Sequence, residues 1–538
     1  VKRSEKFADI REIADEVCSN TATTEQLQQL EKKLKDDPEA KLFYFDYLRV
    51  HNGLKSAADR NMEIVYRRIR ETEEVIIRPQ GESAPDGATI IEQGAGVNVA
   101  DIPKWKNIIL VVAIIVSLIL LVIFTKTEQA FSAHISQGQL NIESNGRIDS
   151  DTLYGGEYSV AKDAVLTLNN GDIFELAAGS RIKLFTHSEI QLIEGQLNII
   201  AVSGQNIIVD GTNFKLNSNG DDLSVNLTNN QPEITSGKNT TIIPQRWRPQ
   251  HYWPFDSDSD RAVNLTNNAH GVPAFTATKV KGLVGDGAYY FDNTQNARIE
   301  LGTGGGSAPA TGTFSATDGV TIEALIAPKF TGEKGEMDEI FRKGHLDGEL
   351  RVSLALHNIA ASKFMHPVTN TLENLSFGLH IVGQGYQELK LMLDGKDGRP
   401  TLAELTNGDM YHVVASYDAK TGLKALYING KMLASYQYPA GSKLLVGGPG
   451  NAAIGNNPTK RFWDKFAYYG IIDEVAYYDF ALPPLMVSAH FEHVKQGKNY
   501  YGFQPNIKAL PEQPQLQLPA NKQLKLDSST GLPARLIN

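Results

Sequence analysis

The sequence predicts a multidomain chain: a small all-α N-terminal domain, one transmembrane helix, and two all-β domains in succession. Three observations carry this reading. Apolar side chains recur at helical spacing over residues 1–70. The run from Ile108 to Phe124 has no charge, no Gly and no Pro. Beyond it, short stretches alternate apolar and polar residues with period two, and Gly-containing turns separate them.

The apolar run divides the chain. Only Ser117 in it is polar. A helix rises ~1.5 Å per residue and a bilayer core is ~30 Å thick, so residues 107–125, with Asn107 and Thr125 as flanks, just reach across. Trp105 stands where an interfacial aromatic belongs, and Lys104, Lys106 and Lys126 bracket the run. A buried core helix is the alternative. β-Branched residues on every face and the lack of a polar stripe speak against it. The long stretch before the run speaks against a cleaved signal peptide. Lys104, Lys106 and Arg78 outweigh the lone Lys126, which Glu128 follows, and this bias places the N-terminus inside.

Composition narrows the function classes. The chain has 538 residues and a formal net charge of -10. No Lys/Arg block forms a phosphate-tracking stripe, so direct nucleic-acid binding is not expected. The single cysteine, Cys18, precedes the span. No intrachain disulfide and no Cys-based zinc motif can form. A disulfide-free exported half suits a bacterial periplasm.

In the N-terminal segment, Phe7, Ile10, Ile13, Ala14 and Val17 form one helical stripe. Thr23 with Gln26 reads as a capping box, and Leu27, Leu30 and Leu34 form the next stripe. Asp36, Asp37 and Pro38 end that helix and start another, which carries Phe43, Tyr44, Tyr47 and Leu48. A further amphipathic stretch runs from Ser56 to Arg70. So short a bundle buries little surface, and a partner that completes the core is a second reading of its stripes. Residues 71–103 lose periodicity among acidic residues, Gly, Pro79, Pro85 and Pro103, and read as a linker.

Residues 131–243 read as an all-β domain. Ala164–Leu168, Ile173–Leu176, Arg181–Phe185, Glu189–Ile193 and Gln196–Ile200 are short strands. Four steps recur between them: Leu168-Asn-Asn-Gly171-Asp172, Leu176-Ala-Ala-Gly179-Ser180, Leu192-Ile-Glu194-Gly195 and Val209-Asp-Gly211-Thr212-Asn-Phe214. In order and spacing they resemble the periplasmic domain of FecR-type transmembrane regulators. Leu197-Asn198-Ile199 departs from the aromatic that commonly follows the Glu-Gly step. The run Ala14-Asp15-Glu16-Val17-Cys18, with Thr21-Ala22-Thr23 and Asp37-Pro38-Glu39-Ala40, also resembles the cytoplasmic anti-sigma segment found with such domains.

Residues 250–502 form a second, aromatic-rich all-β region. Trp253-Pro-Phe255-Asp256, Gly285-Asp-Gly287-Ala-Tyr-Tyr-Phe291-Asp292, Thr321-Ile-Glu323-Ala324, Tyr411-His412-Val-Val-Ala415, Leu426-Tyr427-Ile428-Asn429-Gly430-Lys431, Ile454-Gly455-Asn456 and Ile472-Asp473-Glu474-Val475 occur in order. They resemble a laminin-G-like, concanavalin A-like domain, which implies a jelly-roll sandwich. Asn429-Gly430 suits the tight turn of a hairpin. Residues 503–538, rich in Pro, Gln and Leu without a sustained period, read as an extended or disordered tail.

No catalytic motif stands out, and the chain is not expected to be an enzyme. Some concanavalin-type sandwiches place glycosidase carboxylates in a Glu-x-Asp-x-x-Glu strand. In the nearest stretch, Glu336-Met337-Asp338-Glu339-Ile340-Phe341, Phe holds the last carboxylate position. Asp256, Asp258 and Asp260 alternate with Ser, which a solvated turn explains most simply. Calcium is the alternative, because such oxygen ligands suit it. The laminin-G resemblance adds Asp292 and Asp473 to Asp256 as candidate calcium ligands. Trp463, in the polar stretch Lys460-Arg-Phe-Trp-Asp-Lys465, is the candidate for stacking on a ligand.

Together the resemblances imply a single-pass anti-sigma regulator of the bacterial inner membrane, N-terminus cytoplasmic and β domains periplasmic. Leu27, Leu30, Phe43 and Tyr47 would contact an extracytoplasmic-function sigma factor. The laminin-G-like domain would bind a glycan or a protein. The alternative is a membrane-anchored adhesin or carbohydrate-binding protein with no transcriptional role.

Overall fold

The computed structural model describes residues 131–537 apart from 229–230, 294–295, 345–349, 361–362, 369–371 and 458–466, together with Ile10, Ile13, Lys33 and Ala40. Leu27, Leu30, Phe43, Tyr47, the linker, the span Ile108 to Phe124 and Trp463 lie outside the described residues. Among the described residues no helix is long and apolar enough to cross a membrane. The described fold is β-rich, with two complete helices, Leu402–Leu405 and Pro484–Lys495.

The first β domain follows its alternation. In strand Gly156–Leu168, Tyr158, Val160, Ala164, Leu166 and Leu168 are buried, and most residues between them are partly or fully exposed. Ile182 with Leu184, Ile190 with Leu192 and Leu197 with Ile199 repeat the pattern on neighbouring strands. The motif steps meet in space. Ser180 Oγ donates to the Gln196 carbonyl at 3.1 Å and accepts from the Gln196 amide at 2.9 Å. Gly195 permits this contact: its φ is +93°, and a Cβ there would lie 2.3 Å from Ser180 Oγ.

The C-terminal segment corrects the expectation of an extended or disordered tail. Leu516–Gln517 pairs with Thr241–Pro244, and Gln523–Leu526 pairs with Glu233–Thr235 and with Pro533–Leu536. Leu518, Leu524 and Leu526 enter the core of the first domain. The physical reason is a short period-two pattern, Leu516-Gln-Leu518 and Leu524-Lys-Leu526, which places each leucine pair on one sheet face. Each buried leucine contributes ~1.5–3 kcal/mol. The first domain is thus a 16-stranded sheet completed by residues from both sides of the second domain. The second domain is an insertion.

That insertion is a sandwich of two eight-stranded sheets. In the first sheet, Gly319–Pro328 lies between Tyr469–Tyr478 and Tyr411–Asp418, and His251–Trp253 adds to Tyr469–Tyr478. The two-residue turn at Asn429-Gly430 closes the hairpin between Leu423–Ile428 and Lys431–Gln437, with φ of +51° and +76°. In the second sheet, Met337–Gly344, Leu350–His357, Asn374–Ile381 and Gly385–Met392 lie side by side. Ile322, Ala324, Val352, Leu354, Phe377 and Leu389 fill the core between the sheets.

A further core joins the two domains. Leu325, Val414, Tyr427 and Tyr478 from the first sheet pack with Met486 and Val487 of helix Pro484–Lys495, with Trp247 of the connection, and with Leu510 and Leu532 of the returning tail. Strand Gly319–Pro328 is therefore buried on both faces.

Candidate functional site

The second sheet carries a polar face opposite the core. Along Leu350–His357, Val352, Leu354 and Leu356 belong to the core, so Arg351, Ser353, Ala355 and His357 lie on the other face. Strand register then sets out rows: Glu339, Ala355, Ser376 and Lys390 in one, Arg342, Ser353, Gly378 and Glu388 in the next. Small residues occupy the two middle strands and long polar ones the flanking strands. Three strand steps separate the flanks, ~14 Å between backbones.

A bulge between Glu339 and Phe341 brings Glu339 and Arg342 onto this face, three residues apart. It also turns Phe341 into the core. The Glu336–Phe341 stretch therefore does not line up its acidic residues on one face.

Side chains cross the small floor. Arg342 Nη1 pairs with Glu339 Oε1. His357 Nε2 lies 3.5 Å from Glu388 Oε2, and Ser376 Oγ donates to the same oxygen at 3.3 Å. The Tyr386 hydroxyl passes over Gly378, where a Cβ would lie 1.8 Å from it. Burial pushes the Glu339 carboxyl up, against the pull of Arg342. Burial also acts upward on Glu388, but His357, Lys424 and Tyr386 outweigh it and hold that carboxyl below its usual range. Burial lowers the Lys390 ammonium. Glu339 Oε2 and Asn374 Oδ1 are buried acceptors with no hydrogen-bond partner among the described residues. This face carries buried donors and acceptors, Glu339, His357, Asn374 and Lys390 among them. No local pattern marks it, because its members come from four strands.

The candidate calcium ligands fall in two places. Asp256 and Asp473 do approach each other, around the turn at residues 283–287. Asp473 Oδ2 accepts from the Leu283 and Val284 amides at 2.8 and 3.1 Å, and its Oδ1 accepts from Glu474 N at 2.8 Å. Asp256 Oδ1 accepts from the Asp286 and Gly287 amides at 2.7 and 3.1 Å. Asp292 stands opposite Tyr469 on the neighbouring strand and accepts from Thr276 Oγ1 at 2.6 Å. Among the described residues no three His, Cys, Asp or Glu side chains are grouped to hold a metal. The Asp473 oxygens and Asp256 Oδ1, aimed at amide N–H groups, meet positive dipoles, and these two carboxylates act as turn clamps. Burial raises the Asp473 carboxyl, and it raises Asp256 to about 6.

A buried network lies on the outer side of the first sheet. Glu323 accepts from His412 Nε2 at 2.7 Å, His490 Nδ1 at 3.0 Å and the Tyr478 hydroxyl at 3.0 Å. Tyr478 continues to Tyr501 at 2.8 Å, and Tyr252 donates to Glu474. His490 comes from helix Pro484–Lys495, so Glu323 fastens that helix to two strands. A cavity of about 600 Å³ opens beside the junction, lined by Arg246, Lys420, Phe480 and Asp527 among others.

Residues 301–488 match the family described as the concanavalin A-like lectin/glucanases superfamily, and with the two-sheet architecture they define a concanavalin A-like sandwich domain. Comparison with curated proteins gives no match. Among solved structures, the chain is similar to domain 4 of AbnA, an extracellular GH43 arabinanase from Geobacillus stearothermophilus, in complex with arabinotriose. That likeness has 19% identity, covers 45% of this chain and 98% of that one, and has a TM-score of 0.30. The botulinum neurotoxin serotype D ligand-binding domain, in complex with N-acetylneuraminic acid, is 11% identical over 45% of this chain and 50% of that one, with a TM-score of 0.31. The SAP-like pentraxin of Limulus polyphemus is 17% identical over 41% of this chain and 92% of that one, with a TM-score of 0.25. Identities of this size concern fold alone.

Proposed function

We propose that the chain is a FecR-type, single-pass regulator of the bacterial inner membrane whose sandwich receives a ligand outside the cytoplasm. The first β domain relays occupancy through the span to N-terminal helices that hold an extracytoplasmic-function sigma factor. One observation carries the relay: the sandwich is inserted in the first β domain and shares a core with its returning tail. A sandwich on a single flexible linker could bind but would transmit little. Here two connections and an apolar core couple it to the sheet that leads to the span.

The sandwich works by binding rather than catalysis in this reading. On the outer face of the second sheet Glu339 is paired with Arg342, and Glu388 with His357. Glu339 Oε2 and Asn374 Oδ1 still lack donors among the described residues, and glycan hydroxyls are donors that suit them.

The test is capture of partners by residues 1–103 fused to an affinity tag. A sigma factor should co-purify, and Leu30→Asp should release it while circular dichroism stays helical. Capture of none, with a helical bait, would favour a membrane-anchored adhesin.

A further inference from the structure

At one edge of the sandwich, strands from both sheets bring aromatic rings together. Met365–His366 runs parallel to Gly385–Met392 at the border of the second sheet. Lys431–Gln437 borders the first sheet and carries Tyr436. The His366 and Tyr436 rings stack with centroids 3.8 Å apart and planes 19° apart. Tyr438 meets Tyr436 edge-on at 4.8 Å.

This stack is neither closed core nor scattered surface. Tyr436 is 38% exposed. His366 Nε2 and Gln387 Oε1 are 3.0 Å apart, and the Gln387 amide nitrogen donates to the Gln384 carbonyl at 2.8 Å, so the imidazole is held in place. Tyr438 is 4% exposed, and its hydroxyl is buried without a hydrogen-bond partner among the described residues. Leaving such a group unsatisfied is costly unless something bonds to it. The stack contains no carboxylate and no ammonium.

We infer that the His366–Tyr436–Tyr438 edge is a subsite for a neutral pyranose ring of an oligosaccharide. The exposed aromatic surface of Tyr436 would take the C–H face of the sugar. Aromatic rings carry a negative face, which attracts the polarised C–H groups of a saccharide, and the rigid ring loses little entropy on binding. A sugar hydroxyl would pair with the Tyr438 phenol. Burial pushes that phenol well above the ordinary tyrosine range, so it stays neutral, able to donate and accept. The inference rests on the ligand-receiving role proposed above and moves the stacking function expected of Trp463 to this edge.

The test titrates the full chain in detergent micelles with cellohexaose, and separately with an oligogalacturonate of the same length, by calorimetry. Cellohexaose should bind and the acidic oligosaccharide should bind at least tenfold more weakly. Tyr436→Ala and Tyr436→Leu should weaken cellohexaose binding at least tenfold, and Tyr436→Trp should restore it. Tyr438→Phe, which deletes only the hydroxyl, should weaken it severalfold. Circular dichroism of each variant establishes that it is folded. Parental affinity in Tyr436→Ala, equal affinity in the Leu and Trp variants, or no cellohexaose binding by the parent chain would overturn the inference. Loss of binding in Glu339→Gln alongside parental affinity in Tyr436→Ala would overturn the edge and keep the outer-face reading. Sigma-factor capture is a separate readout, so loss of the relay leaves this result standing.

Discussion

Replacing Glu323 by Gln tests whether the buried network fastens helix Pro484–Lys495 to the sandwich. Burial acts to raise this carboxyl. The charge of His490 and the hydrogen bonds from His412 and His490 outweigh it and hold the group down at about 2. Its folded pKa is therefore depressed from an ordinary 4.5. The sign follows: the ionised form is the one the fold prefers, so its stabilisation is fully present above about pH 4.5 and is lost as pH falls through about 2. A shift of this size corresponds to ~3 kcal/mol. Gln cannot ionise and offers one acceptor where the carboxylate offers two. The variant should thus lose ~1–3 kcal/mol at pH 7 through the unpaired donors. Its melting temperature should also change less than the parent's between pH 5 and pH 3. Glu323→Ala removes every acceptor and should cost ~3–5 kcal/mol. The assay is thermal melting across that range, with hydrogen exchange of helix Pro484–Lys495 at pH 7. Exchange in that helix should accelerate before exchange in Leu350–His357. Parental acid dependence in Glu323→Gln, with unchanged helix exchange, would refute the fastening role.

Three further outcomes follow from the geometry. Leu524→Ala should destabilise the first β domain by ~2–5 kcal/mol, seen as faster proteolysis between residues 131 and 243, because Leu524 is fully buried there. The melting temperature should be the same in calcium and in chelator, while Asp473→Ala lowers it in both, since its oxygens hold amides of the 283–287 turn. Gly378→Ala should cost ~1–3 kcal/mol and perturb near-ultraviolet dichroism, because the new methyl would displace the Tyr386 hydroxyl.

Local pattern was enough for much of the fold. Gly156–Leu168 alternates because only one of its faces is buried, and a period of two reports that directly. Asn429-Gly430 specified its turn because both positions need positive φ, which Asn and Gly tolerate. The Gly-Ser and Glu-Gly steps were visible singly. Their contact at Ser180 and Gly195 was not, because two strands lie between them in sequence. The pairing of the tail is hidden from local pattern for a related reason. Its two Leu-x-Leu pairs are too short to establish a period alone, and the edges at Glu233–Thr235 and Thr241–Pro244 that receive them lie far upstream.

By itself the sequence determined the all-β character of residues 131–243 and 250–502, the hairpin at Asn429, and the resemblance to a laminin-G-like sandwich that the match over residues 301–488 supports. Those properties depend on neighbours a few residues apart, and side-chain alternation and turn chemistry record them. Tertiary structure alone decided that the sandwich is an insertion, that Asp473 clamps a turn, and that Glu339, His357 and Glu388 share one face. It also decided that His366 lies on Tyr436. Each of these is a meeting of residues distant in the chain, set by strand register and sheet order, which local composition does not encode.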